Sequence, residues 1–374
     1  MPGETIGVGF IGYGWIARAH AHALHTLNHI RPLARRVRLV SIAGRSANLV
    51  EPVARELGFE RWTTRWEDVV IDKEVDVLAN LAANEVHAPA SIAALELRKP
   101  VLCEKPLGLD AAESYRMLVC ARRTGVTSAC GFNYRYVPAV RIMRDLAAAG
   151  ALGELRHYRG VYLQDWMAAE RPSQRLDRGG AVLDYSHIVD LLRHLAGEPL
   201  SVSAYVTSFA SEAEDAYAAA LRLPGNAVGT LEASRFATGW KGRQRIELNG
   251  SEGSAWWDME DPNRLHVFFV KDEREGLGGF RDVIATQPEH PFAHQWWAPG
   301  HVLGWQESFV HQWRDFLTAV LENRAVDPRQ ASFEDGYEAA VVCDAILLSA
   351  REGRRVEIHE TRAEGRNREN GGTT

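Results

Sequence analysis

Hydrophobic positions in the first 130 residues follow two alternating rhythms. Solid apolar runs at Ile6–Ile11, Val37–Ala43, Val75–Leu81, Val101–Cys103 and Val126–Cys130 have the continuity of strands covered on both faces. Between them, Trp15–Leu27, Leu49–Leu57, Pro89–Leu97 and Ala111–Thr124 carry the helical period. Strand and helix in alternation predict parallel pairing through crossover helices.

After Phe132 the rhythm changes. Arg156–Gln164 alternates with period two. Tyr217–Leu223 and Ala227–Arg235 flank Pro224-Gly225-Asn226, a turn signal, and Gln244–Leu248 and Ser254–Asp258 flank Asn249–Gly253. Leu265–Val270 follows as a further strand. Helices are predicted at Val182–Ala196, Glu307–Glu322 and Phe333–Arg351. The fold class expected is α/β. A parallel-sheet domain spans 1–131, a second domain with a large open, mostly antiparallel sheet spans 132–361, and 362–374 forms a polar, disordered tail.

Composition narrows the classes. A length of 374 residues favours two domains. A net charge of −6 argues against a nucleic-acid surface, which needs a basic footprint. The four arginines between Arg31 and Arg38 read as a solvated loop. Four cysteines, Cys103, Cys120, Cys130 and Cys343, lie in apolar runs without metal-ligand spacing, so buried free thiols in a reducing compartment are expected. The N-terminus reads as a strand rather than a signal peptide, and no apolar run reaches the roughly 18–20 residues of a membrane span. A cytoplasmic protein without membrane or metal partners is the expectation.

Gly12-Tyr13-Gly14-Trp15-Ile16-Ala17 fits GxGxxA at the end of the first strand. Gly12 permits the tight turn, Gly14 lets a pyrophosphate approach, and Ala17 allows close helix packing. The helix start at Trp15 and Ile16 offers N–H groups to phosphate. A glycine-rich packing turn is the competing reading. The second strand ends in Gly44-Arg45-Ser46 instead of the Asp or Glu usual for NAD. Room at Gly44, charge on Arg45 and a donor on Ser46 suit a 2′-phosphate, which puts NADP first; with Arg45 laid over the adenine, NAD remains open.

Glu104-Lys105-Pro106 closes a later strand of the same sheet. Ligands of such sheets sit at the carboxyl ends of the strands, so Lys105 is placed to reach the nicotinamide end. The proline bars a helical conformation at Lys105. Glu104 pairs with Lys105 or binds cofactor; the bland alternative is a surface salt bridge.

Together with the Gly-rich turn, CEKPL, Asn84-Glu85-Val86-His87 and Gly179-Gly180-Ala181-Val182-Leu183-Asp184-Tyr185-Ser186-His187 resemble the Gfo/Idh/MocA family, the glucose-fructose oxidoreductase and inositol dehydrogenase group. The resemblance runs from Ile6 to about Ile358. It implies a Rossmann domain, an open-faced α/β domain whose sheet often mediates oligomers, and hydride transfer between nicotinamide and a sugar, inositol or polyol carbon. It implies a homodimer or homotetramer. Asn84 and His87 match the family's TPNxxH segment, with Ala82-Ala83 in place of Thr-Pro. Lys105 matches its catalytic lysine. Asp184 and His187 match its Asp-His pair, one residue closer than the usual i,i+4.

Carbinol oxidation needs a base for the hydroxyl proton, and histidine suits it with an unperturbed pKa of roughly 6.5. His187 is assigned as general acid/base, Asp184 as its partner, and Lys105 as the group stabilising charge on oxygen. Asp190 is a rival partner for His187. On the substrate side, Tyr134 and Arg135 are candidates, with interdomain packing as an equal alternative. Gln164, Asp165 and Trp166 suit a polyol through hydrogen bonds and an aromatic face. The YLQDW run resembles that of levoglucosan-dehydrogenase-type members, which act on unphosphorylated sugars. Arg175 is a further candidate. The Trp-rich stretch from His294 to His301 either overhangs the site or buries at a subunit interface. Two other activities stay open: glycosidic cleavage through transient oxidation by bound NAD, and dinucleotide-dependent regulation without catalysis.

Overall fold

Strand β1, Thr5–Ile11, is buried over all but its first residue, as a central parallel strand must be. The computed structural model describes residues 4–30, 32–169, 179–210 and 213–362. Arg175 and residues 363–374 of the tail expected over 362–374 lie outside the described residues. Helix α1, Trp15–Leu27, follows β1 and turns Ala17, Ala21 and Leu24 inward. Then come β2 (Arg36–Ala43), α2 (Ala47–Leu57), β3 (Arg61–Thr63), α3 (Trp66–Ile71) and β4 (Val77–Asn80). Next are α4 (His87–Glu96), β5 (Val101–Cys103), α5 (Ala111–Thr124) and β6 (Ser128–Cys130). The six strands form one sheet in the order β3-β2-β1-β4-β5-β6, every pair parallel. That is the doubly wound order of dinucleotide-binding domains.

Helix α6, Pro138–Ala148, opens the next unit, with Pro138 in its first turn, where a missing N–H costs nothing. Its elements are β7 (Leu155–Leu163), α7 (Trp166–Ala169), α8 (Ala181–Asp184), α9 (Ser186–Ala196), β8 (Ser201–Thr207), β9 (Ala216–Arg222) and β10 (Val228–Ser234). They continue with β11 (Arg243–Gly250), β12 (Gly253–Asp258), β13 (Arg264–Phe269), α10 (Val270–Arg274) and β14 (Arg281–Ile284). With β15, Val356–Glu357, these strands make a nine-stranded sheet ordered β14-β13-β12-β11-β7-β10-β9-β8-β15. Only β7 and β10 run parallel; the other pairs are antiparallel. One face buries Tyr158, Ile246, Leu248, Trp257 and Leu265, and α6 and α9 pack on this sheet. The opposite face carries a stacked ladder. Arg245 lies 4.0 Å from the Trp256 ring centroid, and Trp256 stacks on His266 at 3.7 Å and 8°.

The last helices are α11, Glu307–Leu321, and α12, Phe333–Glu352. Residues 304–337 pack with the N-terminal unit, which comprises the chain up to Tyr136 plus Gly304–Tyr337. The second unit is Val137–Leu303 with the chain from Glu338. The span 132–361 expected for one domain thus contains a segment that returns to the other. The return is held by specific bonds. Asn133 Nδ2 donates to Ser308 Oγ at 2.8 Å, Gln312 Nε2 to Cys130 O at 3.1 Å, and His311 Nδ1 lies 2.8 Å from Tyr136 O.

The helix expected over Val182–Ala196 is two helices. Tyr185 breaks it with φ −94°, ψ 23°. Its ring packs on Tyr162 at 4.6 Å and its hydroxyl donates to Gln164 Oε1 at 3.2 Å, contacts that hold the residue out of the helical path. All four cysteines are buried and free. Among the described residues no helix is long and apolar enough to cross a membrane.

Arg135 is 1% exposed, donates to Gln330 O at 3.1 Å and pairs with Asp335 at 2.9 Å. Removing one member of a buried pair leaves the other desolvated. Arg135→Ala is expected to lower the unfolding free energy by about 3 kcal/mol, read from urea denaturation; an unchanged midpoint would show that the pair contributes nothing.

Candidate functional site

The first turn after β1 has the geometry of a phosphate cradle. Gly12 sits at φ +104°, and a Cβ there would lie 2.3 Å from Leu81 O, so the position is closed to any side chain. Gly14 is different: a Cβ would meet nothing within 4 Å, so its surface is open. Helix α1 begins directly after it, with no acidic residue in the first turn and no side-chain cap. A helix start of this kind favours an anion through its backbone N–H groups and its dipole. Ala17 is fully buried. Trp15 is 54% exposed and stacks on Trp305 at 5.7 Å. These residues fit a dinucleotide pyrophosphate.

At the end of β2 the room expected at Gly44 is already taken. A Cβ on Gly44 would lie 2.1 Å from the Tyr13 ring, so the glycine serves that ring. Arg45 is exposed and Ser46 begins α2 without using its hydroxyl as a cap. Both side chains are thus available to a ligand.

Asn80 ends β4 and donates its amide to Val86 O, His87 O and Ser91 Oγ, which fixes the start of α4. Asn84 lies in the 3-10 turn Asn84–Val86 just before that helix. His87 is buried, with Nδ1 2.8 Å from Pro106 O and Nε2 3.2 Å from Ala82 O. Its imidazole ties the two loops at the strand ends to each other. Burial holds its pKa below the ordinary histidine value, against the opposing pull of those carbonyls.

Lys105 follows β5 and is half-buried, and the Lys105–Pro106 bond is cis. Glu104 is buried, not at the surface. The residue is 7% exposed, and its carboxylate accepts the Lys105 backbone N–H at 3.1 Å and meets His20 Nε2 at 3.0 Å. Tyr134 is buried beside Arg135 in the 3-10 turn Asn133–Tyr136. Arg135 has both guanidinium ends committed to Gln330 and Asp335, which accounts for it structurally.

In the second unit, Asp184 ends α8 and His187 lies in the first turn of α9, buried. Asp184 and His187, both inside the helix expected over Val182–Ala196, thus lie on either side of the break at Tyr185. Asp184 faces Arg235 Nε at 3.4 Å. Arg235 is 2% exposed, donates to Gly179 O at 2.7 Å and lies 5.7 Å from the Trp166 ring. Gln164 accepts from Tyr185 and donates to Lys241 O at 3.2 Å. Asp165 is held by Lys241 Nζ at 2.7 Å and Gly239 N–H at 3.0 Å. The Lys241 hydrogen bond keeps its carboxyl below the usual carboxylate range. Tyr185, Gln164 and Arg235 therefore form one polar cluster beside Trp166 and Asp184. Among the described residues no group of three or more His, Cys, Asp or Glu could hold a metal.

Sequence reasoning missed His20, Tyr13, Arg235 and Lys241. Two had a signal. His20 falls in the buried stripe of α1, between Ala17 and Leu24. Arg235 continues the inward alternation Gly229, Leu231, Ala233 of β10 and sits where an apolar residue is expected. Lys241 lies in a loop whose pattern gives no hint of its partner.

Residues 6–132 match the oxidoreductase family described as an NAD-binding Rossmann fold, and residues 140–256 match the GFO/IDH/MocA C-terminal domain. Levoglucosan dehydrogenase of Pseudarthrobacter phenanthrenivorans is 31% identical, covering 96% of this chain and 100% of that protein. Myo-inositol 2-dehydrogenase of Thermotoga maritima is 25% identical, covering 94% of this chain and 98% of that protein. A solved structure of levoglucosan dehydrogenase with NADH and L-sorbose superposes with a TM-score of 0.90 at 32% identity, covering 95% of this chain and 99% of that one.

The lowered pKa of His87 has a sign. The unfolded ring takes up a proton near 6.5 and the folded ring only at lower pH. The stability contributed by the neutral ring is whole above the unfolded value and is lost as pH falls through the folded one. Urea midpoints measured at about pH 7.5 and about pH 5.5 should fall less for His87→Gln than for the native chain. Equal declines would remove His87 as the cause.

Proposed function

The chain belongs to the Gfo/Idh/MocA oxidoreductase family, and on that premise we propose that it oxidises a ring carbinol of an unphosphorylated sugar, anhydrosugar, glycoside or inositol. One observation carries the reading. Lys105 follows β5 at the same sheet edge where Gly12 and Gly14 follow β1. The order β1-β4-β5 separates them by two strand spacings, about 10 Å. A ligand cradled at the phosphate loop therefore runs along the edge toward Lys105.

The dinucleotide, when bound, supplies the hydride acceptor. The chain supplies the rest. The α1 N-terminus holds phosphate through its backbone N–H groups and its dipole. His187 takes the proton of the substrate hydroxyl, and Asp184 keeps a negative charge near the base. Lys105 donates to a substrate oxygen and stabilises the charge that develops there. Gln164 and Trp166 present an amide and an indole face, groups suited to hydroxyls and to the C–H surface of a sugar ring. Asp165 acts through the Lys241 latch on the loop rather than by a free carboxylate. Tyr134 belongs to the substrate side as well.

The cofactor preference proposed is NADP. Arg45 is exposed and Ser46 has an uncommitted hydroxyl at the end of β2, where a 2′-phosphate would need them. A homodimer or homotetramer belongs to the same reading through the family resemblance. The buried free thiols support a cytoplasmic location.

The test is reduced-nicotinamide absorbance with NAD and NADP crossed against glucose, xylose, galactose, myo-inositol, levoglucosan and simple glycosides. Turnover on a member of this set should drop about a hundredfold or more in both Lys105→Ala and His187→Ala. Full activity in either variant would overturn its role, and a strong NAD preference would sink the NADP assignment.

A further inference from the structure

Glu104 is the key to a buried chain of hydrogen bonds that ends at Lys105. Its Oε2 accepts the Lys105 backbone N–H at 3.1 Å, and its Oε1 lies 3.0 Å from His20 Nε2. His20 is fully buried on α1, and its other nitrogen, Nδ1, lies 2.8 Å from Trp313 Nε1 on α11. An indole N–H can only donate. Nδ1 must accept, so the ring hydrogen sits on Nε2 and points at the Glu104 carboxylate. One group with no choice thus sets the direction of every bond behind it. The ring cannot escape by turning. Phe10, Phe309 and Trp313 meet it edge to face at 6.4, 5.0 and 5.9 Å.

We propose that His20 and Trp313 are positioning residues that act through Glu104 to fix Lys105. The proposal rests on the reading of Lys105 as the group that touches the substrate oxygen. Its physical content is polarity. Position 20 must donate toward Glu104 and accept from Trp313. A residue that only fills the space leaves a buried carboxylate with one donor fewer. Glu104 then has freedom to swing, and the backbone of Lys105 loses its clamp. A merely structural core histidine would be replaceable by any side chain of its volume.

Glutamine separates the two cases, because its amide can donate to Glu104 while its carbonyl accepts from Trp313. His20→Gln, His20→Leu and Trp313→Phe are compared in the full-length protein. Expected is a loss of about tenfold in kcat for His20→Leu and Trp313→Phe, with dinucleotide Kd within about twofold of native, while His20→Gln keeps most of its kcat. Acetylation of Lys105 by acetic anhydride, followed by mass spectrometry, should change rate in His20→Leu and not in His20→Gln. The imidazole 15N shifts, assigned by the signal lost in His20→Gln, should show the Nε2–H tautomer. Native kcat and native Lys105 acetylation in His20→Leu would overturn the proposal. So would a His20→Gln protein that melts like the native one yet is as impaired as His20→Leu. The acetylation and 15N readouts need no turnover. Silence across every substrate would therefore count against the dehydrogenase reading and leave the relay to be decided separately.

Discussion

A carboxylate withdrawn from water must be met by donors, and in this protein that demand falls on Glu104. The residue stands at the end of a three-residue strand in the parallel sheet. The donors that meet it come from the next peptide and from a helix 84 positions earlier. Those partners in turn require a tryptophan near the far end of the chain. The first helix, the strand end and the returning segment are therefore one polar assembly inside an apolar unit. Unmet, a buried charge of this kind costs several kcal/mol, on the scale of a domain's whole net stability.

The second unit solves a similar problem with a cation. Arg235 occupies an inward position of β10, beside the sheet's single parallel pair. It closes the gap between Trp166 and the stretch that holds Gly179 and Asp184, two separate parts of the chain. The polar cluster around Tyr185 and Gln164 is built on the same strand ends, since Gln164 N donates to Ser234 O at 2.9 Å. Side chains that could bind a polyol are thus fastened to rigid sheet edges rather than to free loops.

Much of this was legible in the chain. Continuous apolar runs gave β1, β2, β4 and β5, period-two alternation located β7, and turn signals bracketed β9 to β12, with β13 following. The phosphate turn was readable because only glycine tolerates what Gly12 does. Other elements were silent for physical reasons. Strand β3 is three residues long and mostly exposed, so no period can develop. Edge strands β14 and β15, of four and two residues, are too short for the same reason. Helix α6 had its signal in Pro138, and the change of rhythm at Phe132 masked it. The break at Tyr185 was invisible because its cause is a contact with Gln164, distant in sequence. Side-chain partnerships such as Asp165 with Lys241 are properties of the folded chain, and a motif names only one of the two residues.

The return of residues 304–337 to the first unit has a consequence for how the molecule comes into being. A ribosome delivers the Rossmann strands first, yet His20, Cys130 O and Asn133 wait for α11, whose first residue, Glu307, comes long after the end of β6 at Cys130. During synthesis the nascent first domain carries open polar positions in its own core. The intervening sheet domain must pass through the exit tunnel before they are filled. The nucleotide-binding half is thus not an exchangeable cassette: a gene fusion cut at its apparent boundary would carry the dinucleotide turn away without the tryptophan that completes its interior.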